Sequence, residues 1–146
     1  MDAPPRLALL LVSATVGLTA CGASNKDSAK DFQGEQRRVA QAVEDLQKAA
    51  SKRDRAKICN ELLAPALVDQ ISKASKNSCD EALKDPLADA DSFELEVQRV
   101  TIDGDKATAV VKSDAKGDHD RVDTLQLQKF GNAWKIATLG TNTAQG

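Results

Sequence analysis

The sequence predicts an α+β domain in which N-terminal helices pack against a curved, four-stranded antiparallel meander. Two observations lead to this prediction. Apolar residues recur with a helical period in the first half of the chain, and after Pro86 they alternate with polar residues as they do in strands. Glycine-containing turn sequences separate the alternating segments, so that successive strands form hairpins. A length of 146 residues fits a single domain.

A long amphipathic helix is predicted from Asp31 to Lys52. Its apolar positions follow one another at intervals of three and four residues and therefore share one helix face; they are Val39, Val43, Leu46 and Ala50. Glu44 lies on the polar side, four residues before Lys48, which is the favourable order for an ion pair along a helix.

Short helices follow, and each is predicted from a residue that favours a helix start. Asp54 can cap the helix that contains Ile58, and Pro65 suits the first turn of the next helix. Ser78 and Glu81 have the spacing of a capping box, which opens the last helix of the series.

Four strands are predicted after Pro86. Apolar residues alternate from Phe93 to Val97, and the phase then shifts by one residue at Val100, which predicts a β-bulge that bends the strand. Asp103-Gly104 is a two-residue hairpin turn. The remaining strands are expected at Lys106–Ser113, at His119–Phe130 with a second phase shift after Val122, and after Gly131-Asn132 with Trp134 and Ile136 in the core.

The start of the chain is typical of a secretory signal peptide. Arg6 is followed by fourteen uncharged residues, which as a helix would span about 21 Å and so fall short of the ~30 Å core of a bilayer. Small residues end the segment, as they do before a cleavage site. The expected organisation is a signal peptide at 1–20, a flexible tether at 21–30, one α+β domain at 31–138 and a disordered tail at 139–146.

The segment Leu18-Thr19-Ala20-Cys21 resembles the lipobox of bacterial lipoproteins. The resemblance implies that the Cys21 thiol is diacylated, that the chain is cut before it, and that the new amine is usually acylated as well. Two or three acyl chains are enough for stable anchoring, here on the outer face of a bacterial membrane. The alternatives are an ordinary cleaved signal with a coincidental cysteine, or a signal anchor.

If Cys21 carries lipid, Cys59 and Cys79 remain, and in an oxidising compartment such a pair forms a disulfide. A ring of about twenty residues gives on the order of 3 kcal/mol of stabilisation. Leu, Ile, Val and Phe make up 25 of the 126 residues from Cys21 onward, so such a bond would support a small core. A zinc site or a redox pair is the alternative, but each needs its ligands or thiols at closer spacing.

The order of elements and the terminal Gly-x-x-Trp-Lys-Ile pattern, with Gly131, Trp134, Lys135 and Ile136, resemble the nuclear transport factor 2-like superfamily over roughly Asp31 to Ala137. The resemblance implies a conical sheet curled around the first helix, with an opening that holds a pocket. Small bacterial lipoproteins of that superfamily often carry a cysteine pair in the helical part. Enzymes, binding domains and structural modules share this scaffold, so the fold does not select a function.

His119 is the candidate catalytic base. Isomerases of the superfamily also use a tyrosine, and this chain has none. Asp118 and Asp120 flank His119 at the start of a strand, a position that is usually solvated and favours the charged imidazole. A metal site made from these three neighbours is weaker still, because adjacent strand residues point to opposite faces. No catalytic, cofactor-binding or metal residue is therefore assigned.

Other polar residues have simple explanations. Glu94 and Glu96 alternate with apolar residues and are expected to face water. Arg99 lies at the predicted bulge, which can aim a side chain into a site, although an exposed arginine is the simpler interpretation.

The basic cluster and the aromatic residues are the remaining candidates for a binding surface. The basic cluster, at a helix junction, can contact anionic lipid headgroups or form a solvated turn; it consists of Lys52, Arg53, Arg55 and Lys57. The aromatic residues are too few for a base-stacking surface and suit a core; they are Phe32, Phe93, Phe130 and Trp134. A net charge of −2 gives no reason to expect a nucleic-acid partner.

These observations lead to a non-enzymatic, lipid-anchored extracytoplasmic domain that binds a small apolar ligand or a protein partner, with no cofactor. The first alternative is an isomerase, dehydratase or cyclase that uses a carboxylate or His119 in the pocket of the cone. The second is an accessory subunit of an envelope complex. The sequence leads to no prediction of oligomeric state.

Overall fold

In a computed structural model the chain folds as helices followed by one four-stranded antiparallel sheet, which confirms the α+β class. The structure describes residues 27–88, 94–114 and 121–141. The helical elements are a 3₁₀ turn at Ser28–Asp31, α1 at Gly34–Ser51, α2 at Arg55–Lys57, a π-helical turn at Ile58–Leu62, α3 at Pro65–Ser75 and α4 at Cys79–Ala82. The strands are β1 at Glu94–Asp103, β2 at Lys106–Asp114, β3 at Arg121–Phe130 and β4 at Ala133–Thr141.

The first helix starts later than the sequence predicts. Ser28–Asp31 forms a separate 3₁₀ turn, extended backbone follows at Phe32 and Gln33, and α1 begins at Gly34. Ser28 and Ala29 are buried, so residues 28–30 belong to the domain and not to the predicted tether. Small side chains, which in the sequence resemble a linker, are here the ones that fit against α1.

The predicted helix starts are confirmed. An Asp54 carboxylate oxygen accepts the Lys57 amide (3.0 Å), and the Ser78 hydroxyl accepts the Glu81 amide (3.3 Å). Pro65 occupies the first turn of α3, where its missing N–H has no helical partner to lose. These caps fix where each short helix begins.

The sheet is a simple meander with the strand order β1-β2-β3-β4. The predicted bulge in β1 is confirmed, since the pairing with β2 shifts between Val97 and Arg99. Leu95 and Val97 before the shift and Val100 after it are all buried. The bulge thus restores inward orientation after the change of phase.

The phase shift predicted in β3 is wrong. The pairing of β2 with β3 runs without interruption from Lys106 to Ser113, so Val122 lies opposite Lys112 on the outer face and is 51% exposed. The irregularities lie in β4 instead, where two register shifts against β3 each add one residue to β4. β4 also reaches Thr141, so the first three residues of the predicted tail, 139–141, belong to the sheet.

The core lies between α1 and the inner face of the sheet. Its largest fully buried side chains are Val39, Val43, Leu63, Val111, Leu127 and Ile136. The segment after the π-helical turn closes one side, because Leu63 forms a parallel bridge with Ile136 and the Ala64 amide donates to the Ile136 carbonyl (2.8 Å).

The domain has two ends, and the direction of α1 decides which elements share each of them. α1 runs antiparallel to β1. Gln36 near the start of α1 bonds to Val100, and Gln47 near its end bonds to Leu95. One end, called the turn end, therefore holds the start of α1 and the turns at 104–105 and 131–132. The other, called the opposite end, holds the end of α1, the starts of β1 and β3 and the ends of β2 and β4.

Candidate functional site

Cys59 and Cys79 form a disulfide, with Cα atoms 6.1 Å apart. Cys59 lies in the π-helical turn and Cys79 opens α4, so the bond joins two separate short helices as expected. Both cysteines are buried against the core. The bond thus joins the two elements that flank α3 in the chain. Its buried position suits a structural role better than a redox role, which needs an accessible thiol.

The outer edge of β1 is covered by side chains from the helical layer. The Gln47 side-chain oxygen accepts the Leu95 amide (3.0 Å), and the Ser28 hydroxyl accepts the Val97 amide (3.0 Å). The Gln36 amide donates to the Val100 carbonyl (3.0 Å). Gln47 and Ser28 are buried polar residues, and these contacts satisfy both of them.

Glu44 is the buried carboxylate among the residues that the structure describes, with 6% of its surface exposed. One carboxylate oxygen accepts the Ala29 amide (2.7 Å), and the other lies 3.9 Å from the Lys48 ammonium. The sequence places Glu44 on the polar side of α1, and the 3₁₀ turn that covers it makes this expectation wrong. The pair with Lys48 is present as predicted, but the shorter contact of Glu44 is the hydrogen bond that it accepts from the Ala29 amide.

A cluster at the turn end joins α1 to the last two strands. One oxygen of Glu35 accepts the Trp134 indole N–H (2.8 Å) and lies 3.2 Å from the Lys129 ammonium. The other accepts a guanidinium N–H of Arg38 (2.6 Å), whose second nitrogen donates to the Asn132 carbonyl (2.9 Å). The Lys129 ammonium also lies 5.7 Å from the centre of the Trp134 ring.

These contacts lower the pKa of Glu35 from 4.5 to about 2, with the Trp134 hydrogen bond as the largest cause and the Arg38 hydrogen bond next. A carboxylate with so low a pKa is a weak base, and its oxygens already have donors. The cluster therefore fastens two elements together and is a poor catalytic centre. No sequence motif marks Glu35; the one signal for it is an acidic residue in the first turn of a helix.

The predicted basic cluster is only partly free to bind a ligand. Arg53 donates to the carbonyls of Leu87 (3.3 Å) and Ala88 (2.8 Å), and Arg55 lies 3.5 Å from an Asp80 carboxylate oxygen. Lys52, at the end of α1, is exposed.

The other candidate residues are either outward-facing or outside the described part of the chain. Glu94 and Glu96 alternate with buried Leu95 and Val97 and so lie on the outer face. Arg99 is exposed at the bulge. Outside the described residues lie Cys21, Phe93, Asp118, His119 and Asp120.

Within residues 27–88, 94–114 and 121–141, no three His, Cys, Asp or Glu side chains are grouped so that they could hold a metal ion. No helix in the same ranges has the length and apolar character needed to cross a bilayer.

Comparison with known proteins leaves the chain without a match: no family model matches it, and no curated protein or solved structure matches it either.

Proposed function

We propose that this chain is a lipid-anchored extracytoplasmic protein of the nuclear transport factor 2-like kind, non-enzymatic, that binds a protein partner or a small apolar ligand. The proposal rests on the lipobox-like segment ending in Cys21 and on the order of helices and meander. The observation that carries it is the disulfide between Cys59 and Cys79. Disulfides persist in oxidising compartments, and this one leaves Cys21 as the remaining thiol.

A protein partner is the favoured form of the binding function. Side chains from α1 and from all four strands form one buried core cluster, in which Val43 and Ile136 are fully buried. A small ligand would have to bind nearer an end of the sheet. An envelope complex that contains this domain as an accessory subunit is one kind of protein partner, which pull-down from detergent-solubilised membranes would recover.

The enzyme alternative receives little support from the described residues. It requires a buried acid or base with a perturbed pKa in the pocket. Buried Glu44 is engaged with the Ala29 amide, and the pKa of Glu35 is shifted down rather than up, by its Trp134 hydrogen bond and two cationic neighbours. Among the described residues no other carboxylate is buried, so the enzyme hypothesis depends on His119 or on a carboxylate outside those residues.

Intact mass of the protein extracted from bacterial membranes tests the anchor. We expect a chain that starts at Cys21 and carries two or three acyl groups. The variant Cys21→Ala should accumulate with residues 1–20 still attached, because the thiol that must be acylated before cleavage is missing. Ser24→Ala, a similar change outside the lipobox-like segment, should be processed normally. Normal cleavage of Cys21→Ala would contradict the proposal.

A further inference from the structure

We propose that the face of α1 bearing Lys48 and Lys52 is a membrane-contact surface that binds the headgroups of anionic phospholipids. The inference rests on the proposed lipid anchor at Cys21 and adds which part of the domain touches the bilayer. Two structural observations carry it, namely the place where the N-terminal segment joins the domain and the direction of α1.

The folded domain begins very near the proposed lipid. Ser28 is buried and bound to Val97, so residues 22–27 are the whole connection to Cys21. The span from Cys21 to Ser28 is at most about 25 Å, at up to ~3.6 Å per residue. The domain is therefore held close to the bilayer, and the surface beside Ser28 faces it.

The N-terminal segment joins the domain along the face of α1 that bears the two lysines. Ala29 is bound to Glu44, and Lys48 and Lys52 follow Glu44 by four and eight residues on the same helix face. At 1.5 Å per residue they lie about 6 and 12 Å from it along the axis, toward the opposite end of the domain. Both lysines are exposed, Lys48 to 53% of its side chain.

Charge favours the helical half of the chain over the half that forms the sheet. Residues 21–79 carry 11 basic and 8 acidic groups, a difference of +3, whereas residues 80–146 carry 8 and 13, a difference of −5. An anionic surface repels carboxylates and attracts lysines, so α1 rather than the sheet turns toward the lipid.

Acetylation of lysines, read by mass spectrometry, tests the contact on the full acylated protein in vesicles. The vesicles are phosphatidylcholine with phosphatidylglycerol, or phosphatidylcholine alone. We expect Lys30, Lys48 and Lys52 to be acetylated about fivefold more slowly on the anionic vesicles. A factor of about five corresponds to the attraction between one lysine and such a surface. Lys106, at the turn end, should react equally on both. In 1 M salt, where the Debye length is about 3 Å, the protection should disappear.

A double variant separates the charge effect from mere proximity. Lys48→Gln with Lys52→Gln should abolish the protection of Lys30, because the neighbouring Ala29 is bound to Glu44 on the same face of α1. The matched control, Lys73→Gln with Lys106→Gln, removes the same charge elsewhere and should leave Lys30 protected. Protection that is equal on neutral vesicles, or that survives in both variants, would overturn the proposed contact.

The outcomes also distinguish this inference from the proposed function. Protein that carries acyl groups and floats with the vesicles, but whose Lys30, Lys48 and Lys52 react as fast as in detergent, overturns the contact surface and leaves the anchor standing. Protein without acyl groups that does not float overturns the anchor, and the contact surface with it.

Discussion

At the scale of single residues, Glu35 connects parts of the chain that lie 99 positions apart. Its carboxylate receives Trp134 from β4 and Arg38 from α1, and it lies beside Lys129 of β3. Each contact favours the charged form of Glu35. The start of α1 is therefore fixed to the β3–β4 hairpin by one ionised group.

The stability of the domain should fall as the pH drops from about 4.5 toward 2. The pKa of Glu35 is about 2 when folded against 4.5 as its ordinary value, so the unfolded chain takes up this proton first and unfolding is favoured. Above pH 4.5 the contribution is fully present. Urea unfolding at pH 7 and at pH 3 measures it, and Glu35→Gln should reduce the difference between the two.

The exposed Glu61→Gln, which keeps the Glu35 contacts, is the control for that comparison and should retain the wild-type difference. If Glu35→Gln showed the same loss of stability between pH 7 and pH 3 as the wild type, the Glu35 cluster would not be the source of the effect.

At the scale of elements, the cover over β1 depends on side chains that the helical pattern does not reveal. Gln47 and Ser28 each accept a backbone N–H of β1 that has no strand beside it. The buried Gln47 lies on α1 next to apolar neighbours, and in the sequence it has no feature that separates it from the exposed Gln41.

Gln47→Leu should destabilise the domain by about 1–3 kcal/mol, because the buried Leu95 N–H loses its acceptor. Gln41→Leu, the same change on the exposed side of α1, should change the free energy of unfolding by no more than about 0.5 kcal/mol. Chemical unfolding of both variants measures the difference. Equal effects would mean that the Leu95 amide does not depend on Gln47.

The elements that depend on local chemistry were predictable from the sequence. Asp54 and Ser78 cap helices as expected, and Gly131, with φ of +59°, forms the predicted turn because it adopts this backbone conformation without strain. Burial and strand register that depend on contacts between residues distant in the chain were not predictable. The burial of Glu44 is created by the 3₁₀ turn, and the irregularities of β4 arise from its pairing with β3.

At the scale of the whole molecule, the helical layer is held together by one covalent bond. The strands pair with their neighbours in sequence, and the segment after the π-helical turn adds only a bridge from Leu63 to Ile136. The helical elements after α1 are short, and the disulfide fixes two of them to one another. The sequence predicted this pairing from the cysteine count, whereas the Glu35 cluster needed the fold to bring its members together.

Replacement of both Cys59 and Cys79 by serine should destabilise the domain by about 3 kcal/mol, because the unfolded chain regains the freedom of a loop of about twenty residues. Thermal and chemical unfolding measure the loss. The reduced wild-type protein should match the double variant. A variant as stable as the oxidised protein would show that the bond does not support the fold.

The side-chain cover on β1 also bears on how copies of the protein behave when they are crowded together. A strand at the margin of a sheet can recruit a strand from a neighbouring molecule and begin an aggregate. The outward N–H groups of Leu95 and Val97 already donate hydrogen bonds to Gln47 and Ser28. On a surface that concentrates this protein, Ser28 and Gln47 thus keep that margin from growing into a shared sheet.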